Sequence, residues 1–122
     1  MKPLVHTSAD EVEFRQLPGR RSANPLEGVP VGELSIRFAR LKAGPRAPHR
    51  HPRTPEVIFV LEGEGTAWID GETTRVAPGD VYAIPAGAAH GTIPDDEMLV
   101  YCAFPTADLA AETEELSEPI RL

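Results

Sequence analysis

Four glycines, Gly63, Gly71, Gly79 and Gly87, recur every eight residues, and a fifth turn signal, Pro94-Asp95-Asp96, falls on the same beat. That interval holds a short strand and a tight turn and little else, so it points to a sandwich or barrel of short strands. Asp70-Gly71 fits a two-residue hairpin, while Pro78-Gly79 and Pro85-Ala86-Gly87 each join a fixed φ to a permissive one. No helix start follows any of these glycines, so they read as turn formers and not as phosphate cradles. Gly and Pro together occupy 23 of 122 positions, 10 and 13 respectively, which works against long helices.

The intervals between the turns have strand chemistry. Val57-Ile58-Phe59-Val60-Leu61, Thr66-Ala67-Trp68-Ile69, Val81-Tyr82-Ala83-Ile84 and Met98 to Phe104 are rich in β-branched and aromatic residues. Several are apolar on both parities, which predicts burial on both faces. Upstream, Leu34, Ile36 and Phe38 alternate with Glu33, Ser35 and Arg37, the pattern of a half-buried strand, so the count is at least six strands. The domain expectation is an irregular, proline-rich arm over 1–32 that packs on the barrel or on a dimer partner, a barrel over 33–105, and an acidic tail over 106–122. In that tail Thr106 is positioned to cap a short helix running to about Leu116. Glu114 and Glu115 would stand at its negative end and weaken it.

With 122 residues the chain is one domain, large enough for a core and too small for a separate cofactor domain. Its formal charge of -7 argues against nucleic acid and anionic membranes as partners. The charge is uneven. Nine basic residues against Glu27 and Glu33 make Phe14–Thr54 a +7 segment, and the rest carries -14. The longest apolar runs, Val57 to Leu61 with five residues and Met98 to Phe104 with seven, fall far short of the roughly 20 that span a bilayer. Cys102 is alone, so no internal disulfide forms, and with no signal-peptide core at the N-terminus the expected location is cytoplasmic.

Three of the four histidines stand in metal-ligand contexts. His49 and His51, two apart in an extended segment, project from one face while Arg50 takes the other. Glu56 heads a strand just beyond Pro52 and Pro55, and His90 follows the Pro85-Ala86-Gly87 turn. Three imidazoles and one carboxylate are the donors that suit Fe, Mn, Ni, Cu or Zn. If Glu56 points inward, Ile58 and Val60 share its direction, and the floor of the site is aliphatic. Of the arginines nearby, Arg46 and Arg53 are better placed than Arg50 to attract an anion. Cys102 reads as a small buried hydrophobe, while Tyr82 and Tyr101 read equally as proton donors to a substrate and as packing residues, and Trp68 shares that ambiguity. His6 lies outside every motif.

Gly44-Pro45-Arg46-Ala47-Pro48-His49-Arg50-His51-Pro52-Arg53-Thr54-Pro55-Glu56, six residues, then Gly63 resembles the first motif of the cupin superfamily. Gly79, five residues, Pro85, one residue, Gly87, two residues, His90 resembles its second. Two positions depart from the pattern: four residues, not five, separate Gly44 from His49, and Pro94 stands where an asparagine is usual. The resemblance implies a small single-domain cupin, an all-β double-stranded β-helix (jelly-roll) barrel, holding one divalent transition metal through His49, His51, Glu56 and His90. Fe(II) is the first choice, with Mn, Ni, Cu or Zn as alternatives. It also implies a homodimer and a small-molecule substrate or ligand. A dioxygenase-like oxidoreductase is the first functional reading. A redox-neutral isomerase, lyase or cyclase and a non-catalytic metal-bearing ligand-binding protein stand as alternatives, and the catalytic residues beyond the ligands are unassigned.

Overall fold

The computed structural model describes residues 1–122 and contains eleven strands. These are β1 (Arg15–Leu17), β2 (Arg20–Ala23), β3 (Ser35–Lys42), β4 (His49–Arg50), β5 (Glu56–Glu62), β6 (Gly65–Ile69), β7 (Glu72–Val76), β8 (Val81–Ile84), β9 (His90–Pro94), β10 (Glu97–Phe104) and β11 (Glu114–Glu115). They form two antiparallel sheets, one in the order β1-β2-β3-β10-β5-β8 and the other in the order β11-β4-β9-β6-β7. The two sheets make a jelly-roll β-barrel, the architecture the turn period and the motifs call for.

The glycine beat marks the corners. Asp70 at φ 45° and Gly71 at φ 90° make the two-residue turn between β6 and β7, where both central residues need positive φ. Gly63, at φ 81° between β5 and β6, also passes so close to β10 that a Cβ there would collide with the Glu97 carbonyl oxygen. The inward residues of both sheets, including Leu41, Ile58, Val60, Val76, Ile84, Met98 and Val100, close into one apolar core.

Two expectations are corrected by the structure. β5 and β8 are not buried on both faces: Val57, Phe59, Leu61 and Val81 lie outward and stay more than a third exposed, because no further layer covers the outer face of the six-stranded sheet. The helix expected from Thr106 to about Leu116 is a single 3-10 turn, Ala110–Glu112. Glu114 and Glu115 continue instead as β11 against β4, where Arg50 and Arg20 take up their carboxylates. β7 has no apolar alternation to announce it, since Glu72, Thr73, Thr74 and Arg75 are all exposed and only Val76 turns in. It forms as an edge strand on the register of β6.

Residues 15–23 of the N-terminal arm form β1 and β2, which extend the sheet at β3 of the same chain. No helix is long and apolar enough to cross a membrane.

Candidate metal centre

His49, His51, Glu56 and His90 come together inside the barrel, each at most 6% exposed, with one donor atom from each lying within 4.8 Å of all the others. The strands set this up. The only Cα pairing between β4 and β9 places His49 opposite His90, with ring centroids 4.4 Å apart. His51 lies one pleat beyond His49, on the same side, and Arg50 turns out to pair with Glu114 at 3.0 Å, as alternation requires. Glu56 opens β5, and Ile58 and Val60 follow it inward, both buried.

Hydrogen bonds fix which ring nitrogens face the centre. His90 Nδ1 lies 2.9 Å from the Ala88 carbonyl and His51 Nδ1 lies 3.0 Å from the Glu112 carbonyl. A carbonyl only accepts, so both Nδ1 atoms carry the proton, and in the neutral imidazole each Nε2 then offers a lone pair inward. Each of those nitrogens lies against one oxygen of Glu56. His90 Nε2 is 2.8 Å from Glu56 Oε1, and His51 Nε2, which makes no hydrogen bond, is 3.2 Å from it. Two lone pairs aimed at a carboxylate oxygen repel unless a cation lies among them. His49 Nδ1 is also enclosed with no partner. The donor set therefore fits a bound cation, and nitrogen plus carboxylate donors fit a transition metal. This arrangement has the outer contacts typical of metal-ligating histidines, whose second nitrogen is held by a carbonyl.

The electrostatics follow from burial. Enclosure holds the His49 imidazole well below its ordinary value, so it stays neutral and free to donate.

A cavity of about 330 Å³ opens on the cluster. Ala39, Leu41, Ile58, Val100, Phe104 and Leu109 give it apolar walls, and the Phe104 ring packs edge-on to His51 at 4.9 Å. Arg46 lies in this cavity, whereas Arg53 does not: its side chain is 76% exposed and captured by Glu112 at 2.7 Å. Cys102 lines the cavity as a buried thiol whose pKa burial drives up. Tyr82 donates to or accepts from Thr92 Oγ1 at 2.6 Å. Tyr101 packs on Phe38 on the outer face, and Trp68 is half-buried near Leu116 in a surface groove. His6 is exposed and far from the site in sequence. The sequence reasoning missed Thr92 and Arg20. Thr92 follows His90 by two on β9, so the alternation that found His51 also reaches it, while Arg20 arrives by the hairpin at the sheet edge and has no local signal.

A barrel of this topology with three histidines and a glutamate converging at its mouth is the arrangement that defines a cupin. Residues 37–104 match the family described as Cupin domain, more than half of the chain, and the protein belongs to that family. It is 35% identical over 74 residues to a germin-like protein of subfamily 2 from Arabidopsis thaliana, the match covering 53% of this chain and 34% of that protein. Among solved structures it resembles ectoine synthase from P. lautus, with a TM-score of 0.70 at 24% identity over 93% of this chain and 87% of that one. It also resembles salicylate 1,2-dioxygenase from Pseudoaminobacter salicylatoxidans, with a TM-score of 0.71 at 21% identity over 87% of this chain. The chain spans about a third of the length of both the germin-like protein and the dioxygenase. At these identities the two structural likenesses speak for the fold alone.

Proposed function

We propose that His49, His51, Glu56 and His90 bind one divalent transition metal, Fe(II) in the active form, and that the protein is a dioxygenase-like oxidoreductase acting on a small molecule held in the adjoining cavity. The observation that carries this reading is the convergence of four buried donors on one point at the mouth of an apolar cavity. A divalent transition metal held there by His49, His51, Glu56 and His90 would supply a Lewis-acidic and, as Fe(II), redox-active centre.

The chain's own residues favour redox chemistry over proton transfer. An isomerase, lyase or cyclase needs a positioned acid or base besides the ligands. Of the other titratable groups lining the cavity, Glu115 is tied to Arg20 at 3.1 Å, and the Cys102 thiol is held protonated by burial. Arg20, Arg37 and Arg46 remain, and a guanidinium does not give up its proton in this role. The walls exclude water and hold an apolar body, while the two Nδ1 hydrogen bonds keep the imidazoles aimed. Fold likeness cannot choose here, since both a dioxygenase and a synthase share it.

The test is oxygen uptake by protein reconstituted anaerobically with Fe(II), across small phenols, diketones and sugar acids. Uptake matched by product from one class, and lost in His90→Ala, is the expected result. Turnover with Zn(II) and no oxygen uptake would move the protein to the redox-neutral class, and binding without turnover would make it a ligand-binding protein.

The reading includes a homodimer built on the outer face of the six-stranded sheet. The register aligns Phe38, Tyr101, Phe59 and Val81 in one row across four strands, an exposed apolar stripe that a second copy would cover. Light scattering at micromolar concentration should give twice the chain mass of 13.2 kDa, and a value of 13.2 kDa would remove this part of the proposal.

A further inference from the structure

We infer that Arg46 is the carboxylate-recognising residue of the cavity, so that the molecule presented to the His49, His51, Glu56 and His90 cluster is a small organic acid with an apolar body. This inference rests on the reading of that cluster as a metal centre and adds the substrate class.

Arg46 leaves the loop between β3 and β4 and runs into the barrel, where it is only 9% exposed and lines the same cavity as the four donors. Backbone from two other elements makes room for it. A Cβ on Gly19, in the β1–β2 turn, would meet Arg46 Cγ at 2.9 Å, and one on Gly91 of β9 would approach its Nε at 3.7 Å. The guanidinium is anchored at one corner, where Nη1 donates to the Thr92 carbonyl at 2.7 Å, and its Nε is enclosed with no partner. Burial, together with the charge of Arg20, lowers its pKa to about 10, so it is still a cation at neutral pH.

A buried cation calls for a counter-anion, and the chain provides none. The carboxylates around the cavity are committed elsewhere, Glu115 to Arg20 at 3.1 Å and Glu56 to the donor cluster with His49, His51 and His90. None of the ion pairs in the protein includes Arg46. Anchored through one Nη1 hydrogen and with Nε enclosed, the guanidinium keeps its Nη1–Nη2 edge free of further protein partners, a two-donor edge that matches a carboxylate. The rest of the cavity wall is apolar, so the ligand's body is hydrocarbon or aromatic and its acid end lies at Arg46.

The test is calorimetric titration with benzoate and with benzamide, its neutral counterpart of similar shape, on metal-loaded and on metal-stripped protein. Wild type should prefer benzoate in both forms. Arg46→Gln should lose about 10- to 100-fold in benzoate affinity, the worth of a charge-assisted contact. Metal content should stay at the wild-type level. Arg46→Lys keeps the charge without the fork and should fall between. Arg53→Gln, whose side chain is exposed, should match wild type. Equal binding of benzoate and benzamide by wild type overturns the inference without any variant, as does full benzoate affinity in folded Arg46→Gln. Benzoate binding that disappears when metal is stripped places the carboxylate on the metal and also overturns it. A protein that binds benzoate through Arg46 but takes up no metal would keep this site and refute the metal reading instead.

Discussion

His90 Nε2 and Glu56 Oε1 face each other at 2.8 Å, in a barrel interior where both side chains are under 5% exposed, while the other nitrogen of His90 is held by the Ala88 carbonyl. With Nδ1 protonated, a neutral His90 ring turns a lone pair toward that oxygen. The pair is arranged for a third, cationic member.

It follows that metal stabilises the fold. A ligand that binds only the native state at a hundred times its Kd contributes about 2.7 kcal/mol, which for a domain of this size corresponds to a rise of roughly 10 °C in the melting midpoint. Differential scanning calorimetry of stripped and Fe(II)- or Zn(II)-loaded protein measures it. Coincident midpoints would mean that the cluster is not a high-affinity site.

The tight corner at Gly63 makes another prediction. Gly63→Ala forces a side chain onto a residue at φ 81° and into the Glu97 carbonyl of β10, so β5 or β10 must shift. We expect a loss of about 2 kcal/mol or more in urea unfolding. Gly79→Ala, also at positive φ but with open space around its Cβ, should cost only the backbone strain, about 1 kcal/mol.

Burial raises the Tyr82 phenol well above the ordinary tyrosine value, against the opposing hydrogen bond with Thr92. The folded state therefore holds this proton where the unfolded state, with an ordinary value of 10, has released it. More protons bound in the native state means that stability falls as pH rises above about 10, and is unaffected by this group well below that value. Phenolate absorbance should show both tyrosines ionising later in the native protein than in urea, with Tyr82 the later of the two. Tyr82→Phe should remove the late step and flatten the alkaline loss of stability.

Much of this molecule was legible before the structure, and the reasons are local. Period-two alternation placed His49 and His51 on one face and Arg50 on the other, and it sent Ile58 and Val60 inward behind Glu56. The glycine beat found β5, β6, β8 and β10 because each is apolar between turn formers. β7 was signalled only by the beat of Gly71 and Gly79, since Glu72 to Arg75 are polar and the strand exists by pairing with β6. Apolar residues on both parities of β5 suggested two covered faces, yet covering depends on what packs outside, which no local pattern records. Arg46 and Arg53 looked equivalent in sequence. They part because Glu112, fifty-nine positions beyond Arg53, draws that side chain out to solvent. The tail's helix failed for the same kind of reason, its acidic residues finding Arg20 and Arg50 across the fold.

The most direct measurement is the metal content of protein purified without a metal-affinity tag, after anaerobic incubation with Fe(II), Mn(II), Ni(II) or Zn(II) and removal of the excess. We predict one ion per chain in wild type. In His90→Ala and Glu56→Gln affinity should fall by about 100-fold or more, beyond the loss that follows from disturbing a ligand's supporting contacts. Wild type that retains no stoichiometric ion, or folded His90→Ala that retains as much as wild type, would contradict the account.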